Sequence, residues 1–307
     1  MEKKYKLTEE TIKVYDKTLY RIEALRNFSD VKKGDKGGYI EKEENLSQNS
    51  NCWVDGNAIV YGNARVYGNA LVCGNASIYG DASIYGDAKV YGNAWAFGNA
   101  RDYHNAVVYG NANICGNANI CGNASIYGDA KVYGNAWVFG NARVYHNAVV
   151  YGNANICGNA NICGNARVYG DAKVYGNARV YCDAEVFGNA VVYDNANVYC
   201  DAEVFGNAEI RGDAVITSKS DYIVFKNWWS SGRYFTWTRS NNMWNVGCFY
   251  GTGKELIDKA YKDSKLSGRE YKKVVGYVNS IKANEYNHVR KNIKERLLSK
   301  MRKLFGK

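Results

Sequence analysis

Three positions in the long middle of the chain hold residue types that could move a proton. His104 and His146 each stand where glycine otherwise recurs, and Asp102 lies two residues before His104, at a site elsewhere filled mostly by Val or Ile. A histidine works as a general base when a carboxylate orients its ring, so Asp102 with His104 is the pair to weigh. The sequence argues against it. A nearly verbatim second copy of the stretch keeps His146 but has Val144 in place of Asp102, and no insertion shapes a substrate pocket around either. These three residues stand as the catalytic candidates of a chain whose expected role is not enzymatic.

Other chemistries leave less. Cys115 and Cys121 show a Cys-x5-Cys spacing that merely repeats a six-residue period, so no metal is expected. Gly251-Thr252-Gly253-Lys254 lacks the full frame of a phosphate-binding loop and reads as a helix start, with Thr252 as N-cap and Glu255 three residues later. No cofactor is expected either. A different constellation stands near the C-terminus, where Trp228, Trp229, Trp237 and Trp244 are interleaved with Arg233 and Arg239. Most of these rings must fill the core of a small domain. Those left over are the binding candidates, because aromatic faces beside guanidinium groups suit bases or nucleotides.

The element that must position the first set is a repeat. From Gly56 to Ile216 the phrase Gly-Asn-Ala-x-Val-Tyr recurs without insertion or deletion through 27 hexads. In Ala64-Arg65-Val66 a strand would turn Ala and Val to one face and Arg to the other. Tyr67-Gly68-Asn69 then carries turn chemistry, since glycine tolerates a left-handed backbone and Asn bonds to nearby backbone. One hexad is thus a short strand and a corner, too small to fold alone, so hexads must stack on copies of themselves. The segment Cys182 to Ala190 recurs as Cys200 to Ala208, which puts the stacking period at 18 residues. Ile40, Leu46 and Cys52 extend the inward phase of Ala58 backwards by sixes, so the first coil begins near Gly38.

The pattern resembles the left-handed hexapeptide β-helix, in which three hexads make one triangular coil; the handedness is implied by that resemblance. Hexapeptide acyltransferases share the fold and use a histidine base near a cleft between subunits, with a loop breaking the repeat. A narrower resemblance lies in Tyr20-Arg21-Ile22-Glu23-Ala24-Leu25, Phe28-Ser29-Asp30-Val31-Lys32, Gly37-Gly38-Tyr39-Ile40 and Asn45-Leu46-Ser47. This entry segment is similar to that of hexapeptide-repeat proteins of phages and prophages, some labelled polymer-forming or acetyltransferase-like on the repeat alone. Gly247-Cys248-Phe249-Tyr250-Gly251-Thr252 resembles a C-terminal module of the same group. A phage-type protein working in the host cytoplasm is implied.

The expected organisation is mainly β, with an N-terminal cap over residues 1–37, a β-helix over 38–216 and a small α/β module over 217–307. Residues 5–27 read as a hairpin, which would cover the exposed edge of the solenoid. Residues 83–124 recur as 125–166, a duplication of seven hexads. Seven is not a multiple of three, so the second copy is rotated by one face and a patterned binding face would be scrambled. In the module, Tyr222–Phe225, Arg233–Arg239 and Met243–Phe249 read as three strands separated by the turns Ser230-Ser231-Gly232 and Ser240-Asn241-Asn242. Helices are expected from Lys254, Gly268 and Glu285. The last carries Val289, Ile293, Leu297, Met301 and Leu304 on one face and basic residues elsewhere.

Charge separates the regions. The chain's net +10 divides as +1 over residues 1–50, −4 over 51–216 and +13 over 217–307. A basic tail points to a protein partner or, as the alternative, to nucleotide or nucleic acid. No stretch is apolar enough to span a membrane. Most of the nine cysteines replace corner tyrosines, and only Cys182 and Cys200 could stack; free thiols in a reducing compartment are expected. Association of the rods sideways or end to end is left open.

Overall fold

The computed structural model describes residues 2–229 and 231–305; of these, the side chains of 285–290, 292–294 and 297–305 are not described. Between Trp53 and Ile216 the chain is a parallel β-solenoid of two-residue strands joined by corners. Each strand pairs with those 18 residues away, as in Lys89 with Leu71 on one side and Val107 on the other. Three parallel sheets result, about ten coils deep. The corners follow from backbone geometry. Gly98 has φ +67, and a Cβ there would come within 3.1 Å of the Gly116 backbone one coil on.

Inside, every Ala from Ala58 to Ala214 and every Val or Ile two residues later is fully buried. A buried Val or Ile contributes about 1.5–3 kcal/mol, which a single coil could not hold against the entropy of ordering. Outside, two kinds of side-chain ladder bind the coils. Corner rings stack on all three edges with centroids 4.7 to 5.3 Å apart, Phe187 over Phe205 among them. Cys115, Cys121, Cys157 and Cys163 interrupt these stacks.

The second ladder is made of asparagine and has a direction. Asn93 Nδ2 donates to Asn111 Oδ1 at 3.1 Å, and Asn111 donates to Asp129 at 2.8 Å. Donation always runs toward the later coil. An ionised carboxylate accepts only, so each run ends on an aspartate: Asp81, Asp87, Asp129, Asp171, Asp183 and Asp213.

The N-terminal hairpin forms as expected, with Tyr5–Val14 antiparallel to Lys17–Ala24 and the latter antiparallel to Lys36–Ile40. The entry coil differs in phase. Ile40 pairs with Val60 and Leu46 with Val66, whereas Trp53 pairs with Leu71. Ile40 and Leu46 therefore occupy the Val site of the coil and not the Ala site. The exposed turn at residues 49–51 absorbs the two-residue excess before the 18-residue register begins.

The chain divides into two compact units, and the second comprises Val224–Trp237 and Asn242 onward, while Thr238–Asn241 belongs with the solenoid. Strands Tyr222–Lys226, Tyr234–Thr238, Met243–Val246 and Phe249–Gly251 make a four-stranded sheet. The expected third strand is thus two, because Gly247 takes φ +57 and turns the chain back so that Val246 pairs with Phe249. Of the two expected turns, Ser230 lies outside the described residues. Helix α1, Gly253–Asp263, opens on the expected cap: Thr252 Oγ1 accepts from the Glu255 N–H, and Glu255 accepts from the Thr252 N–H at 2.8 Å. Helix α2 then runs without a break over Lys265–Phe305, where two helices were expected. Gly268 is not a start but a close approach, since a Cβ there would fall 2.3 Å from the Tyr261 ring on α1. The apolar stripe expected from Val289 to Leu304 lies outside the described side chains. Among the described residues no helix is long and apolar enough to cross a membrane.

Candidate functional site

The proton-moving candidates do not meet. His104 and His146 take the left-handed backbone of the glycines they replace, with φ +58 and +57, and each ring lies edge-on to the preceding tyrosine at 4.8 and 4.9 Å. Forty-two residues apart, they stand on different edges of the solenoid. Asp102 points the other way, into the core between Ile84 and Ile120. Neither carboxylate oxygen has a hydrogen-bond partner, and burial pushes its pKa up to about 7. A side chain turned inward cannot orient a ring turned outward, so Asp102 does not serve His104.

The outward faces follow the rotated duplication. Trp95 lies in the 12-stranded sheet and its copy Trp137 in the 9-stranded one; Arg101 and Arg143 are likewise on different sheets. Larger hollows lie where the hairpin end meets the first coils. One of about 450 Å³ is lined by Asp30, Lys36, Trp53, Asp55, Leu71 and Lys89 and mixes both charges.

In the second unit the aromatic-basic set separates into buried and exposed members. Trp237 and Trp244 are core, 1 % and 2 % exposed, and Phe235, Leu256, Val275 and Val278 are buried as well. The Trp237 Nε1–H donates to Asn242 Oδ1 at 3.1 Å, and Lys282 donates to the same oxygen at 2.8 Å. Trp228 and Trp229 sit in the turn closed by the Asn227 N–H donating to Arg233 O at 2.7 Å. Trp229 is half-buried, its ring edge-on to Phe235 and Tyr271 at about 6 Å. Trp228 is 81 % exposed. Arg239 belongs to the other unit, where its N–H donates to Asp221 O at 2.8 Å. The structure therefore brings Trp228, Trp229 and Arg233 together and leaves the other three candidates elsewhere.

Beside Arg233 is a cleft of about 60 Å³ lined by Phe249 and Lys259 and floored by Tyr271 from α2. Sequence reading missed Lys259 and Tyr271. Lys259 has the i+3 spacing from Leu256 that marks a helix's inner rim, but Tyr271 gave no signal apart from being aromatic. The cleft is far below the roughly 300–1,000 Å³ of a small-molecule pocket. It can seat one side chain of a partner; it cannot enclose a nucleotide.

A family model for the YdcK beta solenoid repeat matches residues 64–80 and 136–152, each window about one coil. No curated protein matches this chain. Among solved structures it is similar to the UDP-N-acetylglucosamine acyltransferase of Francisella novicida, at 15% identity and a TM-score of 0.37, over 53% of this chain and 65% of that one. The chain thus spans about two thirds of that protein's length.

Proposed function

We propose that the chain is a non-enzymatic scaffold, a solenoid that carries a small α/β unit whose surface binds a partner protein. The observation that carries this reading is Trp228, a large ring 81 % exposed on a turn whose neighbours Trp229 and Arg233 are held in place. Aromatic and arginine side chains of this kind are the usual anchors of protein interfaces. The shallow cleft beside them favours a protein side chain over a nucleotide. The +13 charge of residues 217–307 favours a partner with an acidic surface. The rod supports the reading in another way. Its outward residues are displaced by the rotated duplication, so what the repeat keeps constant is length and stiffness and not a patterned face. In a phage-type protein of the host cytoplasm, the partner would be a host factor whose action is blocked by occupancy.

The test uses the whole chain as bait in host lysate, with Trp228→Ala and Arg233→Ala alongside. A protein retained after nuclease treatment and lost with Trp228→Ala supports the proposal. Retention of nucleic acid that weakens steeply with salt would replace it with the nucleotide-binding alternative. Acyl-CoA turnover abolished by His104→Ala would replace it with an acyltransferase.

A further inference from the structure

Lys4 reaches from the start of the hairpin into the first coil and is fully buried there, as is Cys52. Its Nζ donates to Cys52 O at 2.7 Å and to Ser50 O at 3.4 Å, and its third direction meets Cys52 Sγ at 3.2 Å. The Phe28 ring closes the other side, with its centroid 5.1 Å away. Buried ammonium groups ordinarily face a carboxylate; this one faces a thiol. Burial lowers the pKa of the amine, the neighbouring thiol works against that, and Arg26 adds to it. A neutral amine would keep its two N–H bonds to the carbonyls and turn its lone pair to the sulfur. Cys52 Sγ also lies 3.5 Å from Ser47 O and 3.8 Å from Asn49 O, beside the exposed turn at residues 49–51.

We propose that Lys4 and Cys52 form a covalent cross-link in the presence of hydrogen peroxide, tying the hairpin to the first coil. In the first step the Cys52 sulfur attacks one peroxide oxygen. The S–O bond forms as O–O breaks, the sulfur loses two electrons, and the departing hydroxide takes the thiol proton to leave as water. The Lys4 lone pair then attacks the sulfenic sulfur. An S–N bond forms as S–O breaks, and the hydroxyl leaves as water with a proton from the nitrogen. One thiol, one amine and one peroxide become one sulfenamide and two waters. The partners already touch across 48 residues of sequence, so no refolding precedes the bond.

The test treats the full-length chain with hydrogen peroxide after its exposed thiols at Cys182, Cys200 and Cys248 have been alkylated. Peptide mass spectrometry should show the Lys4 and Cys52 peptides joined, lighter than their sum by two hydrogens, with cleavage after Lys4 lost. Dithiothreitol should restore both peptides, and the oxidised chain should melt at a higher temperature than the reduced one. Lys4→Arg and Cys52→Ser should each abolish the joined peptide. The readout on the unmutated chain does not depend on either variant folding. A Cys52 peptide that stays a free thiol, or that gains two or three oxygens while Lys4 remains cleavable, overturns the proposal.

Discussion

The solenoid and the second unit bury apolar side chains by different rules. In the solenoid each buried residue is one of many copies, small or β-branched, and its neighbours are residues 18 positions away with the same chemistry. In the second unit the core rests on single large rings, Trp237, Trp244 and Phe235, each with its own partners. Redundancy lets the solenoid carry exceptions such as Asp102, Ala96 and two histidines at turns, because each fault is confined to the coils that touch it. The second unit has no spare copies, so a fault there spreads through the whole core.

The contrast can be broken first at its sharpest point. Trp244→Ala should cost the second unit about 3–5 kcal/mol, lowering its thermal transition while the β-sheet circular dichroism of the solenoid melts at an unchanged temperature. A single transition that moves as one would mean that the two regions unfold together.

Asp102 gives the next largest effect, with the opposite sign. Replacing a buried, unpartnered carboxyl by the valine found in the second copy should stabilise the solenoid by several kcal/mol, read as a raised melting temperature for Asp102→Val. A large fall would reveal a partner for the carboxyl. The same residue predicts a pH slope. Its carboxyl titrates at about 7 when folded and near 4 when unfolded. Between those values the unfolded chain has released the proton and the folded one keeps it, so stability falls as pH rises and levels off above about 7. The Asp102→Val variant should lose that slope in melts taken from pH 4 to 8.

The smallest effect tests redundancy itself. Asn117→Ala removes one donated and one accepted ladder bond, at 2.9 and 2.8 Å. Exposed amide bonds contribute about 0.5–1.5 kcal/mol each, and flanking coils should hold the loss to the lower end of that range in a denaturant titration. A loss of several kcal/mol would show that the ladders, and not the core, set the stability of the coils.

How far the sequence was legible follows the same division. Alternation and strict period gave the coil, its 18-residue spacing and the rotated duplication, because each hexad has only one way to bury Ala and Val. Ile40 and Leu46 were misplaced by one inward site because either residue fits the Ala or the Val site, and nothing local reports two extra residues in a turn. Gly268 was read as a helix boundary when it is a point of contact, a distinction that depends on Tyr261 and not on neighbours in sequence. Four tryptophans could not be sorted into core and surface, since that ring suits both. Lys4 near the N-terminus carried no sign that it would be buried against a thiol.

The direction of the asparagine ladders bears on how such a chain grows. Because donation runs the same way on all three edges, a stretch of hexads spliced in within an asparagine run meets an acceptor ahead and a donor behind, whichever edge it lands on; only behind an aspartate is the donor missing. Unequal recombination between the repeats can therefore lengthen or shorten the fibre in steps of one hexad, and the offset of seven hexads between residues 83–124 and 125–166 is the trace such an event would leave.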